Sequence, residues 1–243
     1  MIKDKIIDNI KTIVFALIIA LIIRTFLFQP FYIPSASMEP NLLIGDRLFV
    51  TKYSYGYSKH SFPFSPPILN KRVLKSEPRR GDLVVFKTPS DNRTDYIKRL
   101  IGLPGDSIQF IDGNLFINNN KIFKKKLMNL ESIRCANNES EVNLYNEELN
   151  NLTNYNVVYN KKGSMINSDV YTVPKKHYFF LGDNRDCSRD SRFLSSVGYV
   201  HEDNLVGKAQ IIFFSNDTKN GSLIKFWNWN NSIRSERFFK RLK

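Results

Sequence analysis

The sequence predicts a mainly β protein in which a single N-terminal transmembrane helix precedes an antiparallel-sheet domain carrying an inserted, smaller β-rich region. Three observations predict it. One apolar run lies close to the N-terminus, behind several lysines. Short β-branched and aromatic runs follow, each bounded by Gly, Pro, Asp or Asn. The aromatic share is 13%, with 19 Phe and 11 Tyr, and ring side chains suit the pleated surface of a sheet.

The first element is TIVFALIIALIIRTFLF, residues 12–28, apolar apart from Thr12, Arg24 and Thr25. Extended through Phe31, a helix rising about 1.5 Å per residue approaches the thickness of a bilayer's hydrocarbon core. Residues 12–31 are therefore read as the anchor. Lys3, Lys5 and Lys11 precede the run, so the positive-inside bias puts 1–11 in the cytoplasm and everything after Phe31 on the far side. Arg24 falls near the outer end, where its long stem reaches the headgroup layer. A cleaved secretory signal begins the same way. This run is long for one, and cleavage at Ser35-Ala36-Ser37 would destroy the serine-rich turn that follows, so a retained anchor is expected.

Strands are expected at 48–53 (LFVTKY), 82–86 (DLVVF), 95–103 (DYIKRLIGL), 170–173 (VYTV), 177–181 (HYFFL) and 205–214 (LVGKAQIIFF). In SIQFIDGNLFIN, 107–118, Asp112-Gly113 sits between alternating apolar residues, the strongest short-range hairpin signal. HSFPFSPPILNK, 60–71, shows neither period and reads as a Pro- and Phe-rich loop whose aromatics would suit a membrane interface. Residues 121–169 are rich in Asn, Lys and Glu with weak periodicity, and read as a peripheral insertion. The expected division is a core at 32–106 and 175–243 with an inserted domain at 107–174.

A formal net charge of +13 raises nucleic acid as a partner. The cations are spread along the chain, however, and no zinc-finger, RNP or helix-turn-helix pattern organises them. Membrane lipid explains the basic balance equally well, and no nucleic-acid partner is expected. Cys135 and Cys187 lie too far apart for a CxxC motif, and three scattered histidines form no metal-ligand cluster, so neither metal nor cofactor is expected. Outside the cytoplasm the two thiols could pair, though nothing in their spacing demands it.

Serine hydroxyls are weak nucleophiles near neutral pH and need a neighbouring base. IPSASMEP, 33–40, holds Ser35 and Ser37 in a turn between Pro34 and Pro40. Ser37 is a candidate nucleophile, beside the plainer reading of a turn serine bonding its own backbone. Two kinds of base fit. His60, His177 or His201 with Asp183 or Asp190 would make a Ser-His-Asp set. Alternatively, Lys98 shares a strand face with Leu100, opposite Ile97, Arg99 and Ile101, and burial there would desolvate its amine. To act near pH 8 its pKa must fall by about 2 to 3 units, which apolar burial supplies and a close Arg99 would assist. The third patch is GDNRDCSRDSR, 182–192, whose Asp183, Asp186 and Asp190 can pair with Arg185, Arg189 and Arg192, or form only a surface charge network.

Taken together, IPSASMEPNLLIGD (33–46), RRGDLVVF (79–86), DYIKRLIGLPGD (95–106), GDNRDCSRDSR (182–192) and NLVGKA (204–209), in that order behind an anchor, resemble the type I signal peptidases. These are membrane-bound serine peptidases that remove signal peptides from exported preproteins. The resemblance implies a bacterial inner (cytoplasmic) membrane, with the catalytic domain on the extracytoplasmic side. It implies Ser37 as nucleophile, Lys98 as general base, Ser35 as the side-chain oxyanion donor beside the Ser37 backbone N–H, and Ser188 as the residue orienting the lysine. Asp183, Arg185, Asp190 and Arg192 match the family's structural support network. Phe31, Ile33, Met38, Leu42, Asp95, Tyr96 and Ile97 fall where the family builds its substrate groove, in which an extended peptide pairs with the strand near 95–97.

The sequence also departs from the family pattern. Cys187 stands where many members carry Asn, and 195–204 has extra residues, with His201 where proline is common. One apolar span is present where some members have two. Two other readings use the same residues: a Ser-Lys autopeptidase of the repressor type, which would need a DNA-binding helical module and no span, and a membrane-tethered β-domain that only binds peptides or lipids.

Overall fold

The structure, a computed structural model, describes residues 2–135, 138–150, 153–160, 166–217 and 229–242. Helix α1 (Ile2–Ile22) continues through one π-helical turn, Ile23–Leu27. Its apolar side chains, among them Phe15, Leu17 and Leu21, are exposed on every face. A helix that is apolar all round and packs against nothing suits a bilayer. The stretch Asp4–Leu27, 24 residues, is long enough to cross one.

The helix begins ten residues before the expected anchor and ends at Leu27, short of Phe31. Phe28–Tyr32 is instead strand β1, paired antiparallel with β2 (Asp46–Thr51). Two features favour this. Pro30 has no N–H to continue a helix, and β1 is the edge of its sheet, where proline is tolerated. Lys52 N–H donates to the Leu27 carbonyl and Tyr57 Oη to the Phe26 carbonyl, so the last helical carbonyls are satisfied by the sheet domain.

The remaining strands are β3 (Leu83–Lys87), β4 (Asp95–Gly102), β5 (Ser107–Ile111), β6 (Asn114–Ile117), β7 (Asn120–Lys121), β8 (Phe123–Cys135), β9 (Asn138–Asn150), β10 (Thr153–Asn160), β11 (Tyr171–Thr172), β12 (His177–Leu181), β13 (Val200–His201), β14 (Leu205–Ser215) and β15 (Lys240–Arg241). The large antiparallel sheet runs β1-β2-β14-β3-β4-β12-β13, with β15 on β14. All six strands expected from the sequence appear, and Asp112-Gly113 turns the β5–β6 hairpin with both residues at positive φ. That hairpin, with β7 and β11, forms a second sheet.

Residues 121–169 hold more order than their composition suggests. Strands β8 and β9 are 13 residues each and make a third sheet with β10. This sheet is not peripheral. Val158 N–H donates to the Asp183 carbonyl, and Asn160 N–H to the Asp186 carboxylate. Tyr155 and Val157 join Ile101, Phe179 and Leu181 of the large sheet in one buried cluster. A second cluster holds Met38, Leu42, Leu48, Val50 and Leu83, and a third stacks Phe86 on Phe180 with ring centroids 4.6 Å apart. Cys135 and Cys187 are joined in a disulfide, which ties the end of β8 to the loop after β12.

Candidate active site

Ile33 N–H donates to the Asp46 carbonyl as the chain leaves β1, and the next residues close into one 3-10 turn, Ala36–Met38, with Ser35 extended before it. Met38 and Leu42 drop into the core and are wholly buried, pinning the turn from below. From the other side Asn184 holds it twice: its backbone N–H donates to the Ser37 carbonyl and its side-chain amide to the Ala36 carbonyl, each at 3.2 Å. Ser37 is thereby presented from a rigid backbone, with Ser35 Oγ 3.3 Å from its Oγ.

Lys98 comes from β4, where both faces of the sheet are covered, and is 4% exposed. Its Nζ donates to Ser37 Oγ at 2.5 Å and lies 5.5 Å from the centre of the Tyr96 ring. Burial lowers its pKa to about 8, assisted by the Arg192 charge and opposed by Asp190 and Asp183. Arg99 is not the assisting cation, because it points to the other face of β4 and pairs there with Asp183. No histidine approaches: His177 and His201 pack against each other with ring centroids 5.0 Å apart, and none of the three lines the cavity at Ser37. Among the described residues no group of three or more His, Cys, Asp and Glu could hold a metal.

Ser35, Ser37 and Lys98 open into a cavity of about 650 Å³. Of the expected groove residues, Phe31, Ile33, Asp95, Tyr96 and Ile97 line it. Met38 and Leu42 do not, because their side chains are spent on the core beneath. Residues 95–98 pair with β3 on one side only, since β12 joins β4 from Arg99 onward. This leaves a short open strand edge beside the two serines.

The loop 182–192 closes the site from behind. Gly182 approaches so closely that a Cβ there would stand 2.1 Å from Ser188 Oγ and 2.6 Å from the Ser37 carbonyl oxygen. Ser188 is 5% exposed, and its hydroxyl makes no hydrogen bond, so a bond to Lys98 is not formed in this structure. Asp190 accepts the Gly182 N–H at 2.9 Å and pairs with Arg192 through Nε at 2.8 Å and Nη2 at 2.9 Å.

Apart from the buried Asp190–Arg192 pair, Asp183 and Arg185 of this loop find their partners outside it. Asp183 is paired bidentately with Arg99, both bonds at 2.8 Å, and also accepts from Asn41. Arg185 forks onto Glu147 of β9, and Tyr155 and Tyr159 bond the same carboxylate. Sequence reasoning missed Glu147 and Asn41 and gave Arg99 a different part. Only Arg99 carried a signal, since it alternates with Ile97 and Ile101 on a strand face that proves buried.

The pattern of the signal peptidase family, peptidase S26, matches residues 6–214. Signal peptidase I of Rickettsia conorii is 41% identical over 250 residues, covering 94% of this chain and 90% of the relative. Signal peptidase I of Rickettsia canadensis is 40% identical over 252 residues, covering 96% and 92%. A crystal structure of a signal peptidase I from Enterococcus faecalis V583 is 25% identical, with a TM-score of 0.32 over 55% of this chain and 97% of that one. On the family match and the extent of the likeness to the two Rickettsia proteins, the chain belongs to the signal peptidase I family, serine endopeptidases that remove signal peptides.

Proposed function

We propose that signal-peptide cleavage by this chain runs through a Ser-Lys dyad, with Ser37 as nucleophile and Lys98 as general base. The observation that carries this reading is the 2.5 Å contact between Lys98 Nζ and Ser37 Oγ, made by a buried amine whose pKa is lowered to about 8. In the neutral state the amine takes the hydroxyl proton as Oγ attacks the scissile carbonyl. The developing oxyanion is held by Ser35 Oγ and the Ser37 backbone N–H. Lys98 then gives its proton to the leaving amine, and the acyl chain stays on Ser37. A water, deprotonated by Lys98, releases it.

An extended signal peptide adds to the open edge at 95–98, where Asp95, Tyr96 and Ile97 meet it, while Phe31 and Ile33 shape the opposite wall. Met38 and Leu42 act from underneath by fixing the floor. Ser188 is assigned to orient Lys98; its burial without a partner leaves a hydroxyl free to hold the amine as the proton moves. Asp183, Arg185, Asp190 and Arg192 hold the loop that carries it. The helix anchors the chain in the inner (cytoplasmic) membrane with 1–11 in the cytoplasm, supported by Lys3, Lys5 and Lys11 ahead of the apolar run. The core at 32–106 and 175–243, with the insertion at 107–174, then stands on the extracytoplasmic face. No cofactor enters these steps, and nucleic acid has no part in them.

The test is to mix the full-length protein with a signal-peptide substrate, quench in acid within the first turnover, and map the modified residue by mass spectrometry. The dyad predicts an acyl adduct on Ser37 that is absent from Ser37→Ala. An adduct on any other residue would contradict it.

A further inference from the structure

A second cavity, of about 840 Å³, opens where the N-terminal helix meets the sheet domain. Most of its wall comes from three stretches, Leu21 and Arg24 of the helix, Lys52 with 59–60 and 62–65 after β2, and Lys87 with 91–93 and Asp95 around the β3–β4 turn, and Gln29 and Val206 complete it. Arg24, Lys52, Lys59, Lys87 and Arg93 all line it, against the carboxylates of Asp91 and Asp95 only. Both carboxylates are engaged. Asp91 accepts from Thr88, Thr94 and the Arg93 backbone, and Asp95 pairs with Lys87 at 2.9 Å.

No carboxylate among the described residues pairs with Arg24, Lys52, Lys59 or Arg93. Lys52 is buried and its Nζ donates to the Ser61 carbonyl. Burial, and then the Arg24 charge, lower its pKa to about 8, with Asp95 opposing. His60 also lines the cavity. It is 4% exposed, its Nδ1 lies 2.9 Å from Ser65 Oγ, and its Nε2 has no hydrogen-bond partner. The cavity therefore gathers positive charge in excess of its carboxylates, a feature that an anion would satisfy.

The rim is apolar on the side facing the helix. Phe62 packs edge-on to Phe26 at 6.1 Å, and Phe64 is fully exposed. Phe64 and Ser65 hold consecutive positive φ values of 62° and 52°, a conformation that a bulky side chain rarely adopts. The loop thus holds a phenyl ring outward beside the point where the span leaves hydrocarbon.

We propose that this cavity takes the phosphodiester headgroup of an anionic membrane lipid, with Phe64 and the helix flank meeting its acyl chains. A lipid is favoured over a dissolved phosphate because Leu21 and Arg24, residues of the span itself, form part of the wall. Asp95 lines both this cavity and the one at Ser37. A lipid seated here fixes the height of the open strand edge above the bilayer, where a membrane-borne substrate presents its cleavage site. The inference rests on the helix lying in a membrane and not on the peptidase chemistry.

The test is native mass spectrometry of the full chain in a neutral detergent, titrated with phosphatidylglycerol or phosphatidylcholine. One tight site for phosphatidylglycerol is expected, weakened about fivefold by each of Arg24→Gln, Lys59→Gln and Arg93→Gln. Lys125→Gln and Lys126→Gln, exposed cations outside the cavity, should leave it unchanged. Each variant should still cut a soluble signal-derived peptide at the wild-type rate, which separates failure of the lipid site from failure of the fold or the dyad. Equal affinity for both lipids, equal losses in the Lys125 and Lys126 variants, or displacement by millimolar inorganic phosphate would overturn the proposal.

Discussion

Glu147 and Arg185 meet in a bidentate ion pair, each side chain 1% exposed, that joins the inserted sheet to the loop behind Ser37. Tyr155 and Tyr159 satisfy the remaining carboxylate positions, and Arg185 Nε donates to the Gly182 carbonyl. The insertion is thus part of the scaffold that sets the site.

Removing one partner of such a pair leaves an uncompensated buried charge, worth about 3–5 kcal/mol. Glu147→Ala is predicted to lose about that much stability in a denaturant titration. Glu147→Gln, which keeps the hydrogen-bond acceptor, should lose less. Equal, negligible losses in both would show that the pair does not bear on the fold.

Much of the site was legible because its signals are local. The two serines between Pro34 and Pro40, the lysine in an apolar strand and the Asp-Gly hairpin each sit within a few residues of the features that identify them. Glu147 was not legible. It lies in a polar strand whose burial arises only when β9 packs against residues 38 positions later. The exchange of partners by Asp183, from its own loop to Arg99, has the same origin, since a long-range pair leaves no periodic trace. The anchor's end was misjudged because Phe28 and Phe31 suit a membrane helix and an edge strand equally.

Gly182→Ala tests how closely the loop must approach. The added methyl would meet a backbone carbonyl, which cannot rotate away as a side chain can. Displacing Ser37 by about 1 Å is expected to lower kcat by about 10²-fold. A wild-type rate for this variant would mean that the loop moves freely from the serine.

The Cys135–Cys187 disulfide closes a sequence separation of 52 residues next to Ser188. In the chain-entropy account a loop of that size contributes about 4 kcal/mol. Denaturant unfolding with and without dithiothreitol should show a loss of that order in the wild type and none in Cys135→Ser/Cys187→Ser. Indifference of the wild type to reductant would contradict the tether.

Lys98 binds fewer protons folded than unfolded between about pH 8 and the ordinary lysine value of 10.5. Stability therefore rises with pH across that window, and the cost of charging the buried amine is fully present below it. Lys98→Met, which keeps the stem and removes the charge, should be inactive yet at least as stable as wild type at pH 7. Its unfolding midpoint should rise less above pH 8 than that of the wild type, keeping the part that Lys52 contributes. A variant that unfolds more readily at pH 7 would show that the ammonium, and not the neutral amine, suits this pocket.

The most direct test of the dyad is the pH dependence of signal-peptide cleavage in detergent by the wild type, Ser37→Ala and Lys98→Ala. The account predicts a wild-type kcat/KM that rises through one pKa near 8, and two folded variants without measurable turnover. Full activity in Lys98→Ala, with the same pH profile, would contradict it.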